Sequence, residues 1–209
     1  MGADQAGSAG EVISTSSGPV DRIKDALRGA QRLLEQLLHP WRRRRALTQL
    51  GSAPQPVTVL MVCHGNICRS PYAAVKARAL IPAGAPVRVE SAGFIGPHRG
   101  APGDAVAVAA ARGVDLRRHR SRLLTSASVG GADLVVVMEP RQRAELHRQY
   151  GPTKRPVLLL GDLDTNQPAT RAIRDPVEQP RQVFAEVYER IDRCLQELIR
   201  VTWVERGTS

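Results

Sequence analysis

The sequence predicts an α/β fold: a four-stranded parallel sheet with helices on both faces and a functional loop after the first strand. Two observations carry this. From residue 56 onward, short Val- and Leu-rich runs alternate with segments of helical composition. Those runs are apolar nearly throughout, as strands covered on both faces are. Aromatic residues form only 3% of the 209-residue chain, so Val, Leu, Ile and Ala must fill the core.

In chain order, residues 1–18 are rich in Gly, Ser and Ala and are expected to be disordered. From Asp21 to Trp41, Ile23, Leu27, Ala30, Leu34, Leu37 and Leu38 recur at helical spacing, and Arg42-Arg43-Arg44-Arg45 follows directly. Such a helix suits an anionic membrane surface or a partner. An apolar stripe more often covers the protein's own core, and that reading is preferred here. Pro54-Gln55-Pro56 reads as a linker, which divides an extension (1–55) from the main domain (56–209).

Within that domain, Pro56–Val62 reads as a strand ending at Cys63, and Pro71–Leu80 as a helix broken by Pro82-Ala83-Gly84. Val87–Ser91 is a second strand. Asp104–Arg112 is a helix with Asp104 as its expected N-cap and Gly113 as its stop. Asp133–Met138 is a buried strand, Pro140–Tyr150 a helix with Pro at its first turn, and Val157–Leu160 the fourth strand. A long loop precedes a final helix over about 181–204.

The net charge is +10, of which +3 falls in residues 1–55 and +7 in the rest, so the positive field is spread along the chain. It attracts anions without choosing among them. Nucleic acid is not expected as a partner, because so few aromatics leave no stacking platforms. Three cysteines, Cys63, Cys68 and Cys194, argue against a disulfide framework. The first twenty residues include Asp4 and Glu11 and lack a continuous apolar run, so no cleavable signal is expected. No stretch approaches the roughly 20 apolar residues of a membrane span. A reducing cytoplasm is the expected compartment.

The chemistry concentrates in Cys63-His64-Gly65-Asn66-Ile67-Cys68-Arg69-Ser70, between a strand and a helix N-terminus. There, unpaired backbone N–H groups and the helix dipole favour an anion. Gly65 permits a tight turn, and Asn66 tolerates the left-handed conformation that a nest of N–H groups requires. Arg69 grips phosphate oxygens with a planar fork. The converging positive potential favours a nucleophilic thiolate at Cys63, and Ser70 is placed to hydrogen-bond the sulfur. Zinc held by Cys63 and Cys68 would need further ligands at suitable spacing, so neither metal nor cofactor is expected.

Val62–Pro71 resembles the signature of the low-molecular-weight protein tyrosine phosphatase family, and the resemblance extends over roughly residues 56–204. It implies that Cys63 is the nucleophile and that Arg69 binds phosphate and transition state. His64, Gly65, Asn66, Ile67, Cys68 and Ser70 complete the phosphate loop. It assigns the general acid to Asp175, in Ile173-Arg174-Asp175-Pro176 before the last helix, where composition alone leaves Asp104, Asp115, Asp162 and Asp164 as equal candidates. It implies that Ser91 and His119 hold Asn66 in its strained conformation. It also implies a reversible Cys63–Cys68 disulfide under oxidation, while a small buried side chain under the loop explains Cys68 as well.

The chain departs from the pattern at Val177 and Glu178, where many members carry aromatic residues that pack on the substrate ring; Phe94 is the candidate replacement wall. Arsenate reductases of this fold need further mid-chain cysteines, and residues 69–193 contain none. Arginine phosphatases carry Thr where Ile67 stands, so the expected substrate is a tyrosine-phosphorylated protein, such as a bacterial tyrosine kinase or its target. A non-catalytic phosphoprotein-binding regulator is the alternative from another class, and intact Cys63, Arg69 and Asp175 argue against it.

Overall fold

The computed structural model describes residues 19–153 and 155–205. The disorder expected of residues 1–18 lies outside them. The strands are β1 (Thr58–Cys63), β2 (Arg88–Gly93), β3 (Leu134–Val137) and β4 (Val157–Leu159). They form one parallel sheet in the order β2-β1-β3-β4. The helices are α1 (Pro19–Ser52), α2 (Arg69–Leu80), α3 (Gly103–Ala110), α4 (Ser126–Gly130), α5 (Pro140–Tyr150) and α6 (Arg181–Ile199).

β1 explains why the sheet is covered twice. Its residues alternate between two cores: Val59, Met61 and Cys63 join the larger one with α2 and α6, while Leu60 and Val62 join a smaller one with Val135, Val137 and Leu146. β1 lies between β2 and β3, so the chain leaves it at the point where strand order reverses. In open parallel sheets that crevice is where ligands bind. The loop after β1 is therefore placed by topology as well as by its own sequence.

Most predicted elements form within a residue or two of their expected bounds. Three differ. The third helix begins at Gly103 after Pro102, and Asp104 sits in its first turn, near the positive helix end, without capping it. α4 was not foreseen; a reciprocal cap between Thr125 and Ser128 starts it. The last helix ends at Ile199 and closes with a π turn over Arg200–Val204.

The N-terminal helix differs most. It continues past Trp41 to Ser52 with Pro40 inside it, because its second half packs on the domain. Ala46 and Leu50 enter the main core, His39 donates from Nε2 to the Asp164 carbonyl at 2.8 Å, and Arg43 pairs with Glu197. The connector that follows is also pinned, by a Gln55 side-chain bond to the Thr202 carbonyl at 3.0 Å. The expected boundary at residue 55 therefore does not separate two bodies: the second half of α1 belongs to the catalytic domain's core.

Candidate active site

The loop from Cys63 to Arg69 leaves the C-terminal end of β1 and runs into the first turn of α2. Asn66 at its apex adopts φ +50°, a left-handed conformation that Asn tolerates better than most residues. Three contacts hold it there. Its Nδ2 donates to Ser70 Oγ at 2.9 Å, its Oδ1 accepts from the Arg122 backbone N–H at 2.9 Å, and its carbonyl accepts from His119 Nε2 at 2.7 Å. The resemblance assigned part of this hold to Ser91. In the structure the hydroxyl is Ser70's, while Ser91 sits in β2 beside Met61. β2 still contributes through Gly93: a Cβ there would lie 2.7 Å from the Asn66 backbone nitrogen, so only glycine lets the strand end approach the loop this closely.

Cys63 Sγ lies 3.1 Å from Ser70 Oγ. Asn66 donates to that hydroxyl, whose own proton can go to the sulfur or, at 3.4 Å, to the Ala92 carbonyl. An ionised Cys63 can only accept, so the hydroxyl turns to it. Cys68 is buried, and burial, reinforced by Cys63 and then Asp175, pushes its thiol up to about 12. It therefore stays protonated. His119 is half-buried, and desolvation lowers its pKa, with Arg122 and Arg120 adding to the effect. It is held neutral, with the proton on the nitrogen that bonds Asn66.

Arg69 is fully buried and reaches three partners from other parts of the chain. Its Nη1 donates to Glu139 Oε1 at 2.5 Å and to the Ile173 carbonyl at 2.9 Å, and its Nη2 pairs with the Asp175 carboxylate. Its Nε is buried without a protein partner. A buried guanidinium N–H left free is costly, and an anion in the loop is the group that would satisfy it. Glu139 also accepts from Gln142 and Arg141 at the start of α5. Nothing local in the sequence distinguishes Glu139, because its role comes from a contact seventy positions away.

Asp175 stands on a segment without strand or regular helix, fixed by Ile173, whose N–H donates to the Met138 carbonyl at 2.8 Å. Cys63, Arg69 and Asp175 thus line one cleft of about 120 Å³, with His64, Gly65, Ile67, Cys68, Ile95, Arg99 and Val177. Two of these correct the expected substrate wall. Phe94 packs into the smaller core, and its exposed neighbour Ile95 faces the cleft instead. Arg99, which sequence reading missed, bonds the Gly65 carbonyl at 3.3 Å and adds a cation to the rim. A one-residue shift in a loop is invisible to composition, since adjacent side chains point in opposite directions. Among the described residues, no group of three or more His, Cys, Asp or Glu side chains is arranged to hold a metal ion.

The same sequence pattern and fold recur in known proteins. A sequence profile described as low molecular weight phosphotyrosine protein phosphatase matches residues 58–207. The Ralstonia nicotianae protein named probable low molecular weight protein-tyrosine-phosphatase EpsP is 37% identical over 151 residues, covering 71% of this chain and 94% of the relative. The crystal structure of Erwinia amylovora tyrosine phosphatase AmsI superposes with a TM-score of 0.63 at 29% identity, over 70% of this chain and 93% of that one. The YwlE arginine phosphatase from Geobacillus stearothermophilus superposes with a TM-score of 0.64 at 25% identity, over 73% and 97%. The chain belongs to the low molecular weight phosphotyrosine protein phosphatase family, whose members are cysteine-dependent phosphatases.

Proposed function

We propose that this chain hydrolyses phosphotyrosine on a protein in two steps at Cys63. The observation that carries the reading is the convergence of Cys63, Arg69 and Asp175 on one cleft at the N-terminus of α2. The substrate phosphate enters the loop, takes the free Nε of Arg69 and displaces Asp175 from Nη2. The Cys63 sulfur then attacks phosphorus; the S–P bond forms as the P–O bond to tyrosine breaks, and Asp175 gives its proton to the departing phenolate oxygen. In the second step Asp175 takes a proton from water, whose oxygen bonds phosphorus while the P–S bond breaks. Loop N–H groups and Arg69 stabilise the three equatorial oxygens in both steps, and Ser70 steadies the departing sulfur.

Phosphotyrosine is favoured over phosphoarginine because Ile67, Ile95 and Val177 give the cleft apolar walls suited to a flat ring. The relatives named as bacterial tyrosine phosphatases support the same choice. A bacterial tyrosine kinase, or a protein it modifies, is the substrate class that fits. Parallel hydrolysis of phosphotyrosine and phosphoarginine peptides tests this. We expect kcat/KM higher for phosphotyrosine; a preference for phosphoarginine would overturn the assignment of substrate while leaving Cys63 chemistry intact.

A further inference from the structure

The apolar stripe of α1 does not cover the protein's own core. At about 100° per residue, Ile23, Leu27, Leu34, Leu37 and Trp41 share one face of the helix. The residues that dock it, His39, Arg43, Ala46 and Leu50, lie on the opposite face. The stripe accordingly stands in solvent: Ile23, Leu27, Leu34, Leu37 and Trp41 are 61, 65, 54, 68 and 59% exposed. Leu33 and Leu38 flank it and widen the apolar sector to about 140°, broader than the two-position seam of a helix pair. Five large apolar side chains on one exposed face need an occupant.

Charge identifies it. Between residues 21 and 45 there are eight basic residues and three acidic ones. Glu35 is held by Arg42 at 2.6 Å, while Arg22, Lys24, Arg44 and Arg45 are exposed. Arg22 and Lys24 fall at the two edges of the apolar sector, and Arg45 lies over the Trp41 ring at 5.6 Å. A second copy of the helix would set basic flanks against basic flanks. No described helix is long and apolar enough to cross a bilayer. A wide apolar face with Trp at one end and cations along its borders is the build of a helix that lies in a membrane interface.

We propose that the first half of α1, through Ile23, Leu27, Leu34, Leu37 and Trp41, lies on an anionic lipid bilayer and attaches the phosphatase to it. Arg28, Gln31, Arg32 and Glu35 border a groove with Pro140, where β3 passes into α5, and with Thr170 and Arg171 of the loop before α6. This half of the helix therefore runs along the end of the sheet from which the loop after β1 also leaves, with its apolar stripe turned away from the domain.

The test is co-sedimentation of the full chain with vesicles of phosphatidylcholine alone or with phosphatidylglycerol added. Binding is expected only to the anionic vesicles and should weaken as salt screens the attraction. A Leu27→Glu/Leu34→Glu variant should partition at least about tenfold less, since two buried leucines are lost. Its hydrolysis of a soluble aryl phosphate should be unchanged, which also reports that it folds. Failure of the unaltered chain to bind anionic vesicles would overturn the proposal, as would binding that survives the double substitution. A dimer, seen by light scattering and dissolved by the same substitutions without any vesicle binding, would assign the stripe to a second copy and overturn it too.

Discussion

The loop after β1 and the segment around Asp175 supply two halves of one site, and they are held in opposite ways. The loop is local: Cys63, Asn66 and Ser70 bond one another within eight residues, and strand and helix fix its ends. The acid segment has no regular structure, and its hold on the site runs through Ile173 to Met138 and through Arg69 to Asp175. In the proposed mechanism the nucleophile, Cys63, is thus built into a rigid junction, while the proposed acid, Asp175, hangs from Arg69. An acid that must bond Arg69, release it to phosphate and then serve a leaving group needs that looser attachment.

The two halves should therefore fail differently. Cys63→Ser removes the nucleophile from an otherwise intact loop, and aryl phosphate turnover should fall by roughly four orders of magnitude or more. Inorganic phosphate binding should persist, because the loop and Arg69 remain. Turnover near the unaltered level would end the catalytic reading. Asp175→Ala should cost about 10²–10⁴-fold in kcat, and the loss should be steeper for a poor leaving group than for a nitrophenolate. Equal losses with both would mean that the carboxylate acts only through its contact with Arg69.

That contrast also explains what was legible in the sequence. Gly65, Asn66, Arg69 and Ser70 were placed around Cys63 from contiguous positions, because a tight turn, a helix start and an anion nest leave few alternatives, whereas His64, Ile67 and Cys68 came with the resemblance. The four strands were legible because burial on both faces makes them apolar throughout. Asp175 was reached only by resemblance, since an Asp before Pro is otherwise a common turn. Glu139, Ile95 and Arg99 were missed, because each enters the site through a fold-dependent approach of distant segments. The continuation of α1 past Trp41 escaped for the same reason: His39, Ala46 and Leu50 look polar or sparse in sequence until Asp164 and the core meet them.

Glu139 joins the two regions, and removing it is the next smaller perturbation. In Glu139→Ala, Arg69 keeps the Ile173 carbonyl and Asp175 but loses the carboxylate that fixes its angle. Misplacement on the scale of an ångström lowers kcat/KM by roughly 10–100-fold. Leaving a buried guanidinium with one counter-charge fewer costs about 3 kcal/mol of stability. Chemical denaturation alongside kinetics separates the two effects. Glu139→Gln should restore part of the stability through its hydrogen bonds and less of the rate; full recovery of both would show that the charge is not needed.

The smallest effect tests the rigid half through pH. His119 is neutral in the folded protein, its pKa lowered first by desolvation and then by Arg122 and Arg120, while an unfolded histidine titrates near about 6.5. Below that value the unfolded chain binds a proton that the folded one resists, so folding stability rises with pH through this window and is lost as pH falls below it. The hydrogen bond from Nε2 to the Asn66 carbonyl favours the charged ring and opposes part of this shift, but desolvation outweighs it. His119→Gln preserves a donor but removes the titration, so the slope of stability against pH between about 5 and 7 should flatten. At neutral pH the variant should lose only about 1 kcal/mol. An unchanged slope would mean that other groups set the acid limit, and that the strained Asn66 is held chiefly by Ser70 and the Arg122 backbone.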